Sequence, residues 1–350
     1  MGISFTFVSI ACVVGAKYGY GAVLGAVLIG GIVEFFLGLA AKYWLRIVSP
    51  IVSASVVTAI GFSLLKVGVE SFGGGTGAED FGSVKNWIVA SFTLLSFALF
   101  MRFAKGYLKQ LSVLIGLMIR YLLALTLGMV DFSRFDGVSV FSLPKVLPVS
   151  LEFRPDAIIA FILIFLVSAT ETIGDTSAIA ISGLGRTVKE KELSGSVVCD
   201  GIVSSLSSLI GCMPIASFSQ NVGFVAMTKV VNRIAMTSGA AIMIMAGLFP
   251  VFGALIATLP SPVLGGCTLI MFANIIVSGL DMFRRCGLTK RNLTVLAFSL
   301  SFGLGFTQAP GIFDVFPDMV KTVFAENCFA IAFVIAILLD RVLPVEKDAV

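Results

Sequence analysis

Apolar residues dominate this chain in long runs, and short polar segments between the runs carry most of the charges. Many runs approach the roughly 20 residues that an α-helix needs to cross a bilayer, whereas helices of soluble proteins show a polar face at each turn. The pattern therefore predicts an all-α polytopic membrane protein with twelve crossings. The predicted segments are residues 3–17, 19–41, 47–67, 86–101, 110–130, 157–182, 195–212, 220–234, 235–257, 262–283, 292–309 and 325–343.

Composition agrees with this interpretation and excludes several classes of function. Hydrophobic residues make up 58% of the chain and charged residues 13%, whereas soluble domains carry about a quarter charged residues. The net charge of +4 comes from short basic clusters, which argues against a nucleic-acid surface. The six cysteines lack CxxC spacing and histidine is absent, so we expect no cofactor, no metal site and no His-based catalysis.

An enzyme is not expected, although an intramembrane hydrolase stays an alternative because paired acids can perform hydrolysis. Two-carboxylate chemistry requires a positioned water or a metal, and no matching set of ligands is evident in the sequence.

The distribution of basic residues predicts the orientation in the membrane. Assigning Lys and Arg to alternate loops places 16 of the 24 on one side and 7 on the other, with Arg120 inside a run. Positive residues favour the cytoplasmic side, so we expect a multi-pass protein of the cell membrane with a cytoplasmic C-terminus.

The start, "MGISFTFVSIACVV", lacks the features of a signal peptide. We expect either a start within a membrane segment or missing upstream residues.

Two acids interrupt the apolar run 157–182. Glu171 and Asp175 are four positions apart and share one helix face, and Gly174 between them would allow another backbone to approach closely. A charge at membrane depth costs about 2.5–3.5 kcal/mol on insertion scales, so such residues mark transport pathways. The alternative is that both acids lie at a helix end near water.

Three further acids lie in or near apolar segments. Asp200, in "VVCDGIVSSLSSLIG", lies beside a helix face of small residues, and its alternative role is to cap a cytoplasmic helix start. We interpret Glu34 and Asp281 as structural or interfacial.

The stretch "GCMPIASFSQNVGFVAMTKVVNR" predicts a broken membrane segment, because Pro214, a polar string and Gly223 interrupt it. Many transporters build a binding site from such segments. Gln220 and Asn221 offer donors and acceptors together, which suits a neutral, planar solute. Alternatively, 211–219 is an extracellular loop and Gln220 a helix cap. A weak echo of "ASFSQNV" in "ISFTFV" at 3–8 places Phe7 opposite Gln220.

Four segments together resemble the nucleobase-ascorbate transporter family, the xanthine/uracil permeases. The string "SQNVGFVAMTKVVNR" is similar to the family signature of Gln or Glu, then Asn-x-Gly, four residues and Thr. "ETIGD", "CDGIVSSLSSLIG" and "PSPVLGGCTLIMFANIIVSGL" resemble other family segments in the same order. The signature positions are Gln220, Asn221, Gly223 and Thr228.

The resemblance implies a 7+7 inverted-repeat transporter fold with short strands in two broken segments. "GISFTF" is similar to the middle of the third family segment, so we expect the first two of fourteen segments to be absent and twelve to remain. The implied core domain comprises 1–43 and 157–258, and the implied gate domain comprises 44–130 and 259–345. Residues 131–156 would form an extracellular connection, and a homodimer through the gate domain is expected.

The resemblance also implies a symporter that imports a purine nucleobase, xanthine or uric acid, with H⁺ or Na⁺. Uracil or anion transport on the same fold, or a truncated fragment that does not transport, are the alternatives. The implied substrate-binding residues are Glu171, Gln220, Phe7, Ser219 and Asn221, the implied cation-coupling residues are Asp200 and Asp175, and Gly223, Thr228 and Gly174 are implied to support the broken segment.

Overall fold

Helices form most of the chain in the computed structural model. The structure describes residues 2–41, 49–103, 112–130, 132–218, 221–222, 225, 228–309, 311–317, 320–325 and 328–344. Their elements in chain order are β1 (Gly2–Ile3), a 3-10 turn (Phe5–Phe7), α1 (Val8–Tyr18), α2 (Tyr20–Leu39), α3 (Pro50–Phe72), α4 (Val84–Phe103), α5 (Ser112–Thr126), a 3-10 turn (Phe132–Phe135), α6 (Pro155–Leu184), α7 (Glu190–Leu209), β2 (Ile215–Ala216), α8 (Arg233–Leu248), α9 (Pro250–Ala257), α10 (Ser261–Cys286), α11 (Lys290–Thr307), a π-helical turn (Lys321–Ala325) and α12 (Cys328–Val342).

Several of these helices have the length and apolarity to cross a membrane. Within the described residues, α2, α3, α6 and α10 each satisfy both conditions, and α8 with α9 forms a fifth candidate that is bent by 79°. The bend falls at Pro250, which lacks the backbone N–H that a continuous helix requires. The prediction of a mainly helical membrane protein is confirmed, while the number of twelve crossings stays a prediction.

The chain divides into two compact units. The first comprises Met1–Ser63, Lys145–Val230 and Ile275–Val350, and the second comprises Leu64–Pro144 and Val231–Asn274. The predicted core and gate ranges stay predictions.

In the first unit, α2 packs against α1, α6 and α7. Glycines allow two of these contacts to be close. A Cβ at Gly30 would lie 2.2 Å from the Phe165 ring of α6, and a Cβ at Gly31 would lie 2.7 Å from the Gly201 carbonyl oxygen of α7. Both distances are shorter than a real Cβ contact, so only glycine fits at these crossings.

The two short strands join segments that are far apart in the sequence. β1 and β2 pair antiparallel, with Gly2 opposite Ala216 and Ile3 opposite Ile215. The Ser4 N–H also donates to the Pro214 carbonyl oxygen at 3.1 Å. The prediction of short strands in the two broken segments is therefore confirmed. The alternative that 211–219 is only a loop is wrong for residues 215–216, which form β2.

The connection from α6 to α7 is held by charged groups outside the apolar segments. Gly185 ends α6 in the left-handed region, with φ 65°. The Glu192 carboxylate accepts from the Arg186 guanidinium at 2.9 and 2.6 Å and from the Lys189 backbone N–H at 2.9 Å. The Arg186 hydrogen bond lowers the pKa of Glu192 to about 2. These contacts set the start of α7 well before Asp200.

The second unit has its own apolar cluster. Val89, Ala124, Leu259 and Val263 are buried together, and the Tyr121 hydroxyl lies 2.9 Å from Thr258 Oγ1. Helix α8 contains no buried residue although it is largely apolar, as expected for a helix that faces lipid.

Candidate functional site

Glu171 and Asp175 lie well inside α6, several turns from its start and more than two turns from its end. Asp175 is buried and Glu171 is half-buried. The alternative that both acids solvate a helix end is therefore wrong.

Glu171 contacts the first of the two broken segments. Thr6 Oγ1 donates to Glu171 Oε2 at 3.2 Å. Thr6 belongs to the 3-10 turn that follows β1, and its side chain is buried. The strand pairing therefore holds a hydroxyl donor against this carboxylate.

Asp175 contacts the second broken segment through a chain of hydroxyl groups. Ser217 directly follows β2, and its Oγ lies 3.1 Å from Asp175 Oδ2 and 3.2 Å from Thr172 Oγ1. Thr172 in turn donates to Asp200 Oδ2 at 2.5 Å. Asp175, Ser217, Thr172 and Asp200 thus form one polar network across α6, α7 and the residue after β2.

Asp200 is fully buried within α7. Because α7 begins at Glu190, the alternative of Asp200 as a cap at the helix start is wrong. Its surroundings include the small residues that the sequence indicated. Ser204 Oγ, one turn further along α7, donates to the Ile215 carbonyl oxygen at 3.0 Å and so anchors β2 to this helix.

Phe7 is placed at the end of the first 3-10 turn, with its side chain fully buried. Its ring centroid lies 4.6 Å from that of Phe165 and 6.2 Å from that of Phe161, both on α6. Phe7 thus belongs to a buried aromatic cluster with these two residues, and it directly follows Thr6 in the chain. Stacking of Phe7 on a ligand stays a prediction.

Part of the second broken segment is described. Ser219, Gln220 and Gly223 lie outside the described residues. Asn221 is exposed, and its N–H donates to the Phe218 carbonyl oxygen at 2.9 Å. Thr228 Oγ1 accepts from the Val230 N–H at 3.3 Å.

Lys229 connects the end of this segment to α6. It has a φ of 57°, and its Nζ donates to the Ser182 carbonyl oxygen at 2.7 Å. The segment that follows β2 is therefore attached to α6 near both of its ends, through Ser217 and through Lys229.

Gly174 does not show the close backbone approach that its position predicted. Among the described residues, a Cβ at Gly174 would meet only the tip of the Met282 side chain, at 3.7 Å. This is an ordinary van der Waals distance. The close approach occurs instead at Gly201, where a Cβ would lie 2.4 Å from the Phe35 nitrogen of α2.

The sequence interpretation missed Thr6, Thr172 and Ser217. A signal was present, because each is a hydroxyl residue within or beside an apolar stretch. Hydroxyls are common in membrane helices, where they bond to backbone carbonyls of their own helix, and only the fold distinguishes these three from the rest.

The described arrangement joins buried or half-buried acids to two discontinuous segments. The described residues contain no cluster of three His, Cys, Asp or Glu side chains that could hold a metal. Discontinuous segments that meet at carboxylates inside apolar helices are typical of secondary membrane transporters.

Comparisons with known proteins identify the family. Residues 1–312 match the model of the xanthine/uracil permeases, described as "Permease family". The chain belongs to this family, also called the nucleobase-ascorbate transporters. It is a multi-pass membrane protein of a family of transporters rather than enzymes.

Individual relatives cover nearly the whole chain. The xanthine permease XanQ of Escherichia coli (strain K12) is 32% identical over 98% of this chain and 76% of the relative. The nucleobase transporter PlUacP of Paenibacillus larvae is 33% identical over 99% of this chain and 80% of the relative. The xanthine permease of Bacillus subtilis (strain 168) is 32% identical over 97% and 77%.

A solved structure supports the fold. The transmembrane domain of the cyanobacterial bicarbonate transporter BicA aligns with a TM-score of 0.57 and 18% identity, covering 93% of this chain and 80% of that one. The predicted transporter fold is thereby confirmed.

Proposed function

We propose that this chain is a symporter that imports a purine nucleobase, with xanthine or uric acid as the first candidates, together with H⁺ or Na⁺. The names of the relatives, xanthine permeases and a nucleobase transporter, support the substrate class. The observation that carries the proposal is the position of Glu171, a half-buried acid well inside α6 that contacts Thr6 beside the paired strands.

Each proposed binding residue has a distinct role. The Glu171 carboxylate accepts from the ring N–H groups of the purine, and charge-assisted hydrogen bonds of this kind are strong in a dry site. Gln220 bonds the opposite carbonyl and N–H edge with both its oxygen and its nitrogen. Phe7 stacks on the ring, and backbone amides near Phe7 and Ser219 complete the contacts. Asn221 is the fifth proposed binding residue.

Asp200 and Asp175 have the proposed role of coupling to the cation. They are linked by Thr172 and Ser217, and Ser217 directly follows β2. A change of charge on either acid alters the hydrogen bonds that hold the second broken segment. The cation and the substrate site are therefore coupled through a shared element.

The variant Glu171→Gln tests the binding role of this carboxylate. The amide keeps the shape but loses the charge, so xanthine or urate binding should weaken by about 1.5–3 kcal/mol. Equilibrium titration of the purified protein with xanthine, urate and uracil measures this. Glu190→Gln, the same substitution at an exposed position in the first turn of α7, is the matched control. Equal affinities in wild type and Glu171→Gln would refute the assignment.

Uptake into proteoliposomes separates the remaining alternatives. Labelled xanthine should accumulate and be displaced by urate. Displacement only by bicarbonate or sulfate would indicate an anion transporter of the same fold, and displacement only by uracil a uracil carrier. Ligand binding without any uptake would identify the chain as a binding-competent fragment that does not transport.

A further inference from the structure

The segment that precedes α6 exposes large apolar side chains. This segment, residues 145–154 and here called the strap, leads directly into α6 at Pro155, and its residues form neither helix nor strand. Its exposed apolar residues are Val146 at 72%, Leu147 at 51%, Val149 at 38% and Phe153 at 54%. Apolar side chains grouped on a surface mark a site of interaction, so the strap is expected to contact something other than water.

The backbone of the strap lies along the first turns of α2. The Glu152 N–H donates to the Gly21 carbonyl oxygen at 3.1 Å. A Cβ at Gly21 would lie 2.3 Å from the Ser150 carbonyl oxygen, and a Cβ at Gly25 would lie 2.1 Å from the Glu152 carbonyl oxygen. Both distances are shorter than a real Cβ contact, so only glycine allows the strap to approach α2 this closely.

The strap also contacts the end of α7 and the turn before β2. The Leu147 N–H donates to the carbonyl oxygen of Leu209, the last residue of α7, at 2.7 Å. A Cβ at Gly211, which has a φ of 77°, would lie 2.5 Å from Pro148 Cγ. The strap is therefore held in place at two helices, and its exposed apolar side chains are those that these contacts leave uncovered.

The contacts with α2 place the strap at the edge of the membrane. Helix α2 begins at Tyr20 and is long and apolar enough to cross a bilayer. Gly25 follows Tyr20 by five residues, which corresponds to about 7.5 Å along the helix axis. The polar headgroup layer on each side of a bilayer is about 5–7.5 Å thick. The length of α2 that the strap covers therefore matches the thickness of this layer.

The backbone of the strap is not suited to the hydrocarbon core. Its Leu147 and Glu152 N–H groups donate to the carbonyl oxygens named above, and Pro148 has no N–H. The other N–H groups of the strap form no hydrogen bond with a backbone carbonyl of the described residues. Irregular backbone of this kind does not lie against lipid tails, which offer it no hydrogen bonds. Only the interface between hydrocarbon and water suits both the side chains and the backbone.

We propose that the strap is a lipid-binding segment that inserts Val146, Leu147 and Phe153 into the headgroup layer of the membrane. The side chains contact the upper part of the acyl chains, while water and lipid headgroups satisfy the backbone. Lys145 is exposed at the start of the strap, and its long stem allows the ammonium group to reach a lipid phosphate. The side of the membrane is the one predicted to be extracellular.

Lipid contact at the strap affects the unit that contains the candidate site. The strap holds Gly21 at the start of α2 and Gly211 before β2. The Tyr20 hydroxyl joins these two regions by donating to the Gly211 carbonyl oxygen at 2.9 Å. The depth of the strap in the membrane therefore fixes the depth of α2 and of the turn before β2.

The fluorescence of a tryptophan placed on the strap tests the proposal. Phe153→Trp in the full chain, reconstituted into phosphatidylcholine vesicles, adds emission to that of the two native tryptophans, and the difference from wild type is measured. Bromine atoms on the acyl chains near the headgroup should quench the added emission more than bromine atoms at the middle of the bilayer. Val146→Trp, at the other end of the strap, gives the same test if Phe153→Trp does not fold.

Glu190→Trp is the matched control, because Glu190 is exposed in the first turn of α7. Its added emission should be quenched by acrylamide in the water and not by brominated lipid. The same result for the strap variants would overturn the proposal by placing the strap in water. Stronger quenching from the middle of the bilayer would overturn it by placing the strap in hydrocarbon. Emission that neither quencher reaches would also overturn it, because a second copy of the chain or another protein would then cover the strap.

Discussion

At the scale of single residues, Glu171 and Asp175 have different surroundings although they share one helix face. Glu171 is half-buried and contacts Thr6 of the first broken segment. Asp175 is buried and contacts Ser217 of the second. The two acids are therefore suited to different tasks, with Glu171 the better placed to meet a ligand.

The proposed preference for xanthine or urate depends on Gln220. A site built to hydrogen-bond a ring edge discriminates strongly against ligands that lack the matching groups. Gln220→Glu keeps the volume but replaces two donors by an acceptor, so xanthine or urate binding should weaken by about 1–3 kcal/mol. A ligand that offers only donors on that edge should lose less.

Competition by a panel of purines and uracil against labelled xanthine measures this change in preference. Gln308→Glu, at an exposed position after α11, provides the same substitution away from the site. An unaltered rank order of inhibitors in Gln220→Glu would make Gln220 a structural residue of the broken segment.

At the scale of elements, the crossing of α2 and α7 positions the polar network. Gly201→Ala should destabilise the protein by about 1–3 kcal/mol, as overpacking does, because its Cβ would lie 2.4 Å from the Phe35 nitrogen and 2.6 Å from the Gly31 carbonyl oxygen. Backbone atoms of two packed helices cannot move aside as a flexible side chain can. Thermal unfolding in detergent measures the effect.

Gly195→Ala is the matched control on the same helix. Nothing lies within 4 Å of a Cβ at this position, and it is exposed. Alanine should therefore be neutral or raise stability by up to about 1 kcal/mol through its better helix propensity. Equal melting temperatures for the two variants would show that the α2–α7 contact is not tight.

At the scale of the whole molecule, the excess of Lys and Arg on one set of loops predicts a cytoplasmic C-terminus. A reporter that is active only in the cytoplasm should work when fused at the C-terminus. The same reporter inserted in the predicted extracellular connection, 131–156, should stay inactive. The reverse pattern would invert the proposed orientation.

The oligomeric state is also a property of the whole molecule. We propose a homodimer through the predicted gate ranges, 44–130 and 259–345. Light scattering of the detergent-solubilised chain should give twice the mass of a single chain, and a single-chain mass would contradict the proposal.

The sequence alone determined the class of this protein and indicated the acids of the proposed site. Long apolar runs, low charge and the spacing of Glu171 and Asp175 are local properties, because the bilayer requires them of each segment separately. The family motifs likewise are short strings that can be recognised without any contact between them. The family and its helical fold were therefore predictable.

Only the tertiary structure decided which groups meet. The Thr6–Glu171 hydrogen bond joins residues 165 positions apart, and the Thr172–Asp200 bond joins two helices. The backbones of α2 and α7, which carry the buried acids Glu34 and Asp200, meet at a crossing of glycines. A hydropathy pattern records whether a residue faces lipid or protein, but it contains no information about which distant residue lies opposite. The sequence therefore indicated only that Glu34 lies in an apolar segment. The tertiary structure showed which helices pack around it.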